Sequence, residues 1–160
     1  MTLGIGILDF IPRDKNTTVL ESFEQSIELA KLADEKGLDR YWLTEHHSTP
    51  AVLSSTPQLL LSRYGAETKQ IKLGTGAVII NNSTPYQIAE NYMVLEAMYP
   101  GRVEAGVGHS MPKEVTRQET LGMQINRGLD YEKTISQIAG LLYDDLATED
   151  EMHGLRVMPA

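Results

Sequence analysis

The chain has 160 residues, 41% hydrophobic and 22% charged, the profile of a soluble globular domain with a real core. Its formal net charge of -8 argues against general nucleic-acid or anionic-membrane binding, which needs a cationic surface. With no cysteine there are no disulfides, thiolate nucleophiles or thiolate metal ligands. The start, "MTLGIGILDF", has neither a basic leader nor a membrane-length apolar run, so a cytoplasmic location is expected.

Leu3 to Phe10 is a short apolar run that reads as a buried strand ending in Asp9. Thr18 with Glu21 fits a capping box, and Leu20, Phe23, Ile27, Ala30 and Ala33 follow at helical spacing until Gly37. Arg40 to Glu45 reads as a second strand. Thr56-Pro57 opens a second helix through Leu59, Leu60, Leu61, Tyr64 and Ala66. Ile71 to Ile80 reads as a third strand, and Thr84-Pro85 opens a third helix that ends at Pro100-Gly101. Arg102 to Gly108 reads as a fourth strand. A polar loop or short helix comes next, and Leu129 to Leu142 is the last clear helix. From about Asp144 the chain turns acidic and loses its period. The expected division is residues 1–145 as the main folded unit and 146–160 as an acidic, irregular segment, either a loop or an unsupported end.

Strand and helix alternate four times, so the fold class is α/β with parallel strands joined by crossovers. The strands are apolar throughout, which predicts cover on both sheet faces. Sites in such folds form at the C-terminal strand ends. Those ends carry Asp9, then Glu45-His46-His47, then Asn81-Asn82, then Gly108-His109-Ser110. Three of the four histidines therefore sit at one end of the sheet.

Adjacent strand residues point to opposite faces, so His46 and His47 cannot share a metal ion unless the strand breaks between them. That weakens a metal centre, and no metal ligands are assigned. There is no G-x-S-x-G elbow and no Walker lysine loop. Gly74, Gly76, Gly106 and Gly108 lie inside two neighbouring strands. Their bland use is tight packing; beside an imidazole they also suit a planar ligand lying against the backbone.

The segments "RYWLTEHHSTPAV", "IKLGTGAVII" and "STPYQIAENYMVLEAMYPGRVEAGVG", with the spacing between them, resemble the luciferase-like flavin-dependent monooxygenases. The likeness runs from Leu3 to Asp144. It implies four βα units of a TIM-type (β/α)8 barrel, a half or truncated barrel, since the full fold needs about 250 residues. It also implies reduced FMN, or a deazaflavin in some branches, reacting with oxygen to oxidise a small organic substrate. By resemblance His46 is the candidate catalytic histidine and Glu45 a structural or polar partner, while His47 is bland. Gly76 and Ala77 pass beside the flavin ring, where the family often has an unusual peptide bond. Gly108 falls where bacterial luciferase carries a reactive cysteine, and it is expected with His109 among the flavin contacts. His109 stands where many members have a phosphate-binding arginine. Asp9 either lines the pocket or caps a backbone turn. The resemblance implies a homodimer through the second and third helices. Two readings stand beside the enzyme: a non-enzymatic flavin-binding or structural homodimer of half barrels, and a metal-dependent barrel hydrolase.

Overall fold

The computed structural model describes residues 3–110 and 130–159. The strands are β1 (Gly6–Asp9), β2 (Arg40–Leu43), β3 (Lys72–Thr75), β4 (Val78–Ile79), β5 (Val103–Glu104) and β6 (Val107–Gly108). The helices are α1 (Val19–Glu35), α2 (Pro57–Glu67), α3 (Pro85–Met98) and α4 (Tyr131–Tyr143). All strand pairs are parallel. The main sheet has the order β1-β2-β3-β5, and β4 pairs with β6. The expected third and fourth strands are therefore each broken in two. One break is at Gly76-Ala77, whose peptide is cis. The other is at Ala105-Gly106, where a Cβ on Gly106 would run into the Thr75 carbonyl. The expected polar loop or short helix after Ser110 lies outside the described residues.

The helices start where their caps predict. Thr18 Oγ1 accepts from Glu21 N at 3.2 Å, and Glu21 Oε2 accepts from Thr18 N at 2.7 Å. Thr84 and Gln87 form the same reciprocal box at α3. α1 ends before Gly37, whose φ of 72° is open to glycine at little cost. Its buried stripe is Ser22, Ser26, Ala30 and Ala33, with Leu20 exposed. Small residues, not the leucines, bring α1 onto the sheet.

Register sorts the two sheet faces. Ile7, Tyr41, Leu73 and Val103 are in line across the strands and join the core against α1, α2 and α3. Leu8, Trp42, Gly74 and Glu104 are in line on the opposite face. That face is open: Leu8 is 48% and Phe10 44% exposed. The expectation of two covered faces is thus corrected. Apolar strand runs signalled burial on the helix side, while glycines and long side chains fill the other. Trp42 Nε1 donates to Glu104 Oε2 at 2.7 Å, and Arg40 Nε lies 3.2 Å from the same oxygen.

The C-terminal stretch is irregular, a loop that packs on the preceding helices. Val157 is buried with Ala89 and Leu141, and Tyr86 donates its hydroxyl to the Arg156 carbonyl at 2.9 Å. Asp150 accepts from Gln137 Nε2, tying the segment to α4. Apolar residues spaced through the acidic run (Leu146, Met152, Val157) supply the contact with α3 and α4.

Candidate functional site

The two histidines diverge from the end of β2. The His46 backbone N–H donates to the Ser54 carbonyl at 2.8 Å. Its ring stacks on Phe10, with centroids 5.4 Å apart and planes 25° from parallel. His47 turns the other way. Its Nε2 lies 2.7 Å from Glu45 Oε1. Glu45 is buried, and accepts from Asn82 Nδ2 at 2.6 Å and from Ile79 N at 2.8 Å. Of the two roles expected of Glu45, structural or polar partner, the contacts are structural ones: Glu45 holds His47 and the turn after β4. Glu45 and His47 are two residues apart on extended chain, and so leave it on one side.

Glu45, His47 and Asn82 line a cleft of about 450 Å³ between α2 and α3. Its walls include Leu59, Val78, Leu95 and Met98, with Ser55, Gln58 and Asn91 as polar neighbours. His46 is not among the lining residues.

Asp9 lies on the core side of β1. It accepts from Ile11 N at 2.8 Å, from Tyr41 Oη at 2.6 Å and from the Ser26 hydroxyl. That is the turn-capping alternative, joined to a buried hydroxyl network: Ser26 Oγ also lies 2.5 Å from Tyr64 Oη. Burial, reinforced by Asp9, pushes the Tyr41 phenol upward. Burial likewise pushes Tyr64 up to about 12.

The strand glycines are filled from within the chain. A Cβ on Gly74 would meet the Trp42 indole, and one on Gly76 would meet Leu8 Cδ1 at 2.7 Å. Gly108 faces the Ala77 methyl, where a Cβ would lie 3.0 Å away. His109 is exposed and sits edge-on to Tyr131, with centroids 6.1 Å apart. Among the described residues, no three His, Asp or Glu side chains gather closely enough to hold a metal ion. No described helix is long and apolar enough to cross a membrane.

The "PGR" segment, part of the resemblance, has a structural use. Arg102 donates to the carbonyls of Ile71 at 3.1 Å and Thr68 at 3.0 Å, locking the end of α2 to β3. Sequence reasoning missed the Glu45–His47 pair, although their spacing of two carried the signal.

The chain matches the luciferase-like monooxygenase family over residues 1–138. It is 31% identical to the uncharacterized protein YceB of Bacillus subtilis (strain 168), over 98% of this chain and 48% of that protein. The crystal structure of apo-MsnO8 superposes with a TM-score of 0.84 at 29% identity, covering 98% of this chain and 45% of that one. The FMN complex of the oxygenating constituent of 3,6-diketocamphane monooxygenase from Pseudomonas putida superposes with a TM-score of 0.71. At 20% identity, over 89% of this chain and 40% of that one, it is a likeness of fold. The chain spans about half the length of these relatives. With a parallel α/β sheet of their type and a match over most of its length, it belongs to the luciferase-like monooxygenase family.

Proposed function

We propose that the chain is the N-terminal half of a flavin-dependent monooxygenase barrel, acting on a small organic substrate with oxygen. The family match over residues 1–138 carries this reading. The open face at the strand ends fits a flat ring system. Phe10 and His46 already form a ring stack there, and Ala77 and Gly108 offer only small groups beside each other. His46, Gly76, Ala77 and Gly108 are the proposed flavin contacts. His109 is the proposed phosphate contact, a weaker one than a guanidinium because it has fewer fixed donors. Asp9 is left out, since its carboxylate faces the core. FMN bound in complex by the diketocamphane enzyme favours FMN as the cofactor, with a deazaflavin as the alternative. Bound there, a reduced flavin would pass electrons to oxygen, which would then oxidise the substrate. His46 takes or returns a proton at its imidazole beside the ring, the transfer an imidazole performs near neutral pH.

Anaerobic titration with reduced FMN, and separately with reduced deazaflavin, tests this. Saturable binding of one of them is expected, weakened in His46→Ala, together with oxygen-dependent oxidation of substrate that His46→Ala abolishes. Protein that binds neither cofactor ends the reading for this chain.

A second reading, a structural homodimer of half barrels, is favoured by the exposure of Leu8 and Phe10 on the open sheet face. The homodimer of the first reading uses α2 and α3, where Leu59 is 71% and Met98 51% exposed.

A further inference from the structure

The Glu45 carboxylate has donors on both oxygens before His47 is counted: Asn82 Nδ2 on Oε1 and Ile79 N on Oε2. An ionised carboxylate only accepts, so the hydrogen in the 2.7 Å contact belongs to His47 Nε2. In the neutral ring Nδ1 then carries no proton. Nδ1 has no hydrogen-bond partner among the described residues, and His47 lines the cleft between α2 and α3.

Glu45 is the one carboxylate lining that cleft, and its oxygens are engaged. The walls Leu59, Val94, Leu95 and Met98 are apolar, and no lysine or arginine lines them. Such a site takes an uncharged molecule with an apolar body and a polar hydrogen. Leu59 and Met98 stand exposed at the mouth, while Glu45 is buried.

We propose that Glu45 is a positioning residue that holds His47 in the Nε2–H tautomer, so that Nδ1 accepts a proton from an O–H or N–H of a small uncharged molecule in this cleft. In the step, the X–H bond breaks with its electron pair left on X. The proton goes to Nδ1, and the imidazolium formed is held against the Glu45 carboxylate. This second acceptor lies on the opposite side of β2 from His46. It rests on the oxidoreductase reading only for the reaction that the proton transfer serves.

Long-range proton–nitrogen correlation spectra of histidine-labelled protein test it, with phenol as the uncharged O–H probe. His47 is expected with Nε2 protonated and Nδ1 bare, and phenol is expected to shift His47 Nδ1. Glu45→Gln, with its fold checked by backbone amide spectra, is expected to let the Nδ1–H tautomer appear. An Nδ1–H tautomer in the unsubstituted protein, an unchanged tautomer in Glu45→Gln, or a phenol response at His46 alone overturns the proposal. The unsubstituted protein decides the tautomer even if Glu45→Gln does not fold. An FMN titration of the same sample reports separately on the oxidoreductase reading.

Discussion

Trp42 lies across Gly74. A Cβ on Gly74 would stand 2.6 Å from the indole nitrogen, which reaches over this residue to donate to Glu104 Oε2 at 2.7 Å. A tryptophan on one strand can bond two strands away only because the strand between offers no side chain. Gly74→Ala is therefore expected to displace the indole and break the Glu104 bond. Overpacking of this kind costs about 1–3 kcal/mol. Urea unfolding followed by tryptophan fluorescence reports the loss directly, since Trp42 is the single tryptophan. A stability equal to that of the unsubstituted protein would show that the sheet face yields freely here.

Asp34 should govern acid stability. Burial alone would raise its carboxyl, but the backbone N–H groups of Lys69, Ile71 and Gln70, with Arg102 nearby, outweigh burial and hold it below the usual carboxylate range. A group lowered on folding stabilises above its unfolded value of 3.8 and loses that contribution as pH falls through the folded value. Asp34→Asn is expected to lower stability at pH 7 by about 1–3 kcal/mol, the scale of a charged hydrogen bond. It should also flatten the fall in stability below pH 3.8. Unfolding curves at stepped acid pH measure both effects, and parallel curves for the two proteins would refute the assignment.

Tyr64 and Tyr41, with Tyr92 likewise raised by burial, set the alkaline limit. Burial raises all three phenols, Tyr64 to about 12. A group raised on folding stabilises fully below its unfolded value of 10.0 and loses that contribution as pH climbs toward the folded one. Phenolate absorbance is thus expected to rise in two stages, the later one coinciding with loss of circular dichroism. Tyr64→Phe should shrink the later stage. Complete phenolate formation with the native dichroism intact would contradict the buried network around Asp9.

The alternation of strand and helix was legible because crossovers need amphipathic helices with marked starts, and Thr18 with Glu21 is such a mark. Divergence of His46 from His47 was legible from the two-residue period of extended chain. The same period puts Glu45 beside His47, but the family pattern drew attention to His46. The Asp9 network was not legible: Ser26, Tyr41 and Tyr64 come from three later elements, and only packing brings them to one carboxylate. The breaks in the third and fourth strands arise from a backbone approach between Thr75 and Gly106, a relation between strands that neither strand's own sequence contains.

Two apolar faces stand exposed, and a second copy could cover either one. Leu59 and Met98 crown the α2–α3 cleft, and Leu8 and Phe10 lie on the open sheet face. A charge placed in a desolvated interface costs far more than one on a free surface, so an arginine on each face tells which is used. Leu59→Arg is expected to convert a dimer to monomers in light scattering, while Leu8→Arg leaves the dimer in place. That outcome follows if α2 and α3 form the interface and the sheet face is left for flavin. The reverse result, with Leu8→Arg giving monomers, would mean that the copies meet through their sheets. Reduced FMN then separates the cases a second time. A ligand on the sheet face should bind the α2–α3 dimer without changing its mass, whereas in the sheet-closed dimer it must compete with the partner and shift the equilibrium toward monomer as its concentration rises.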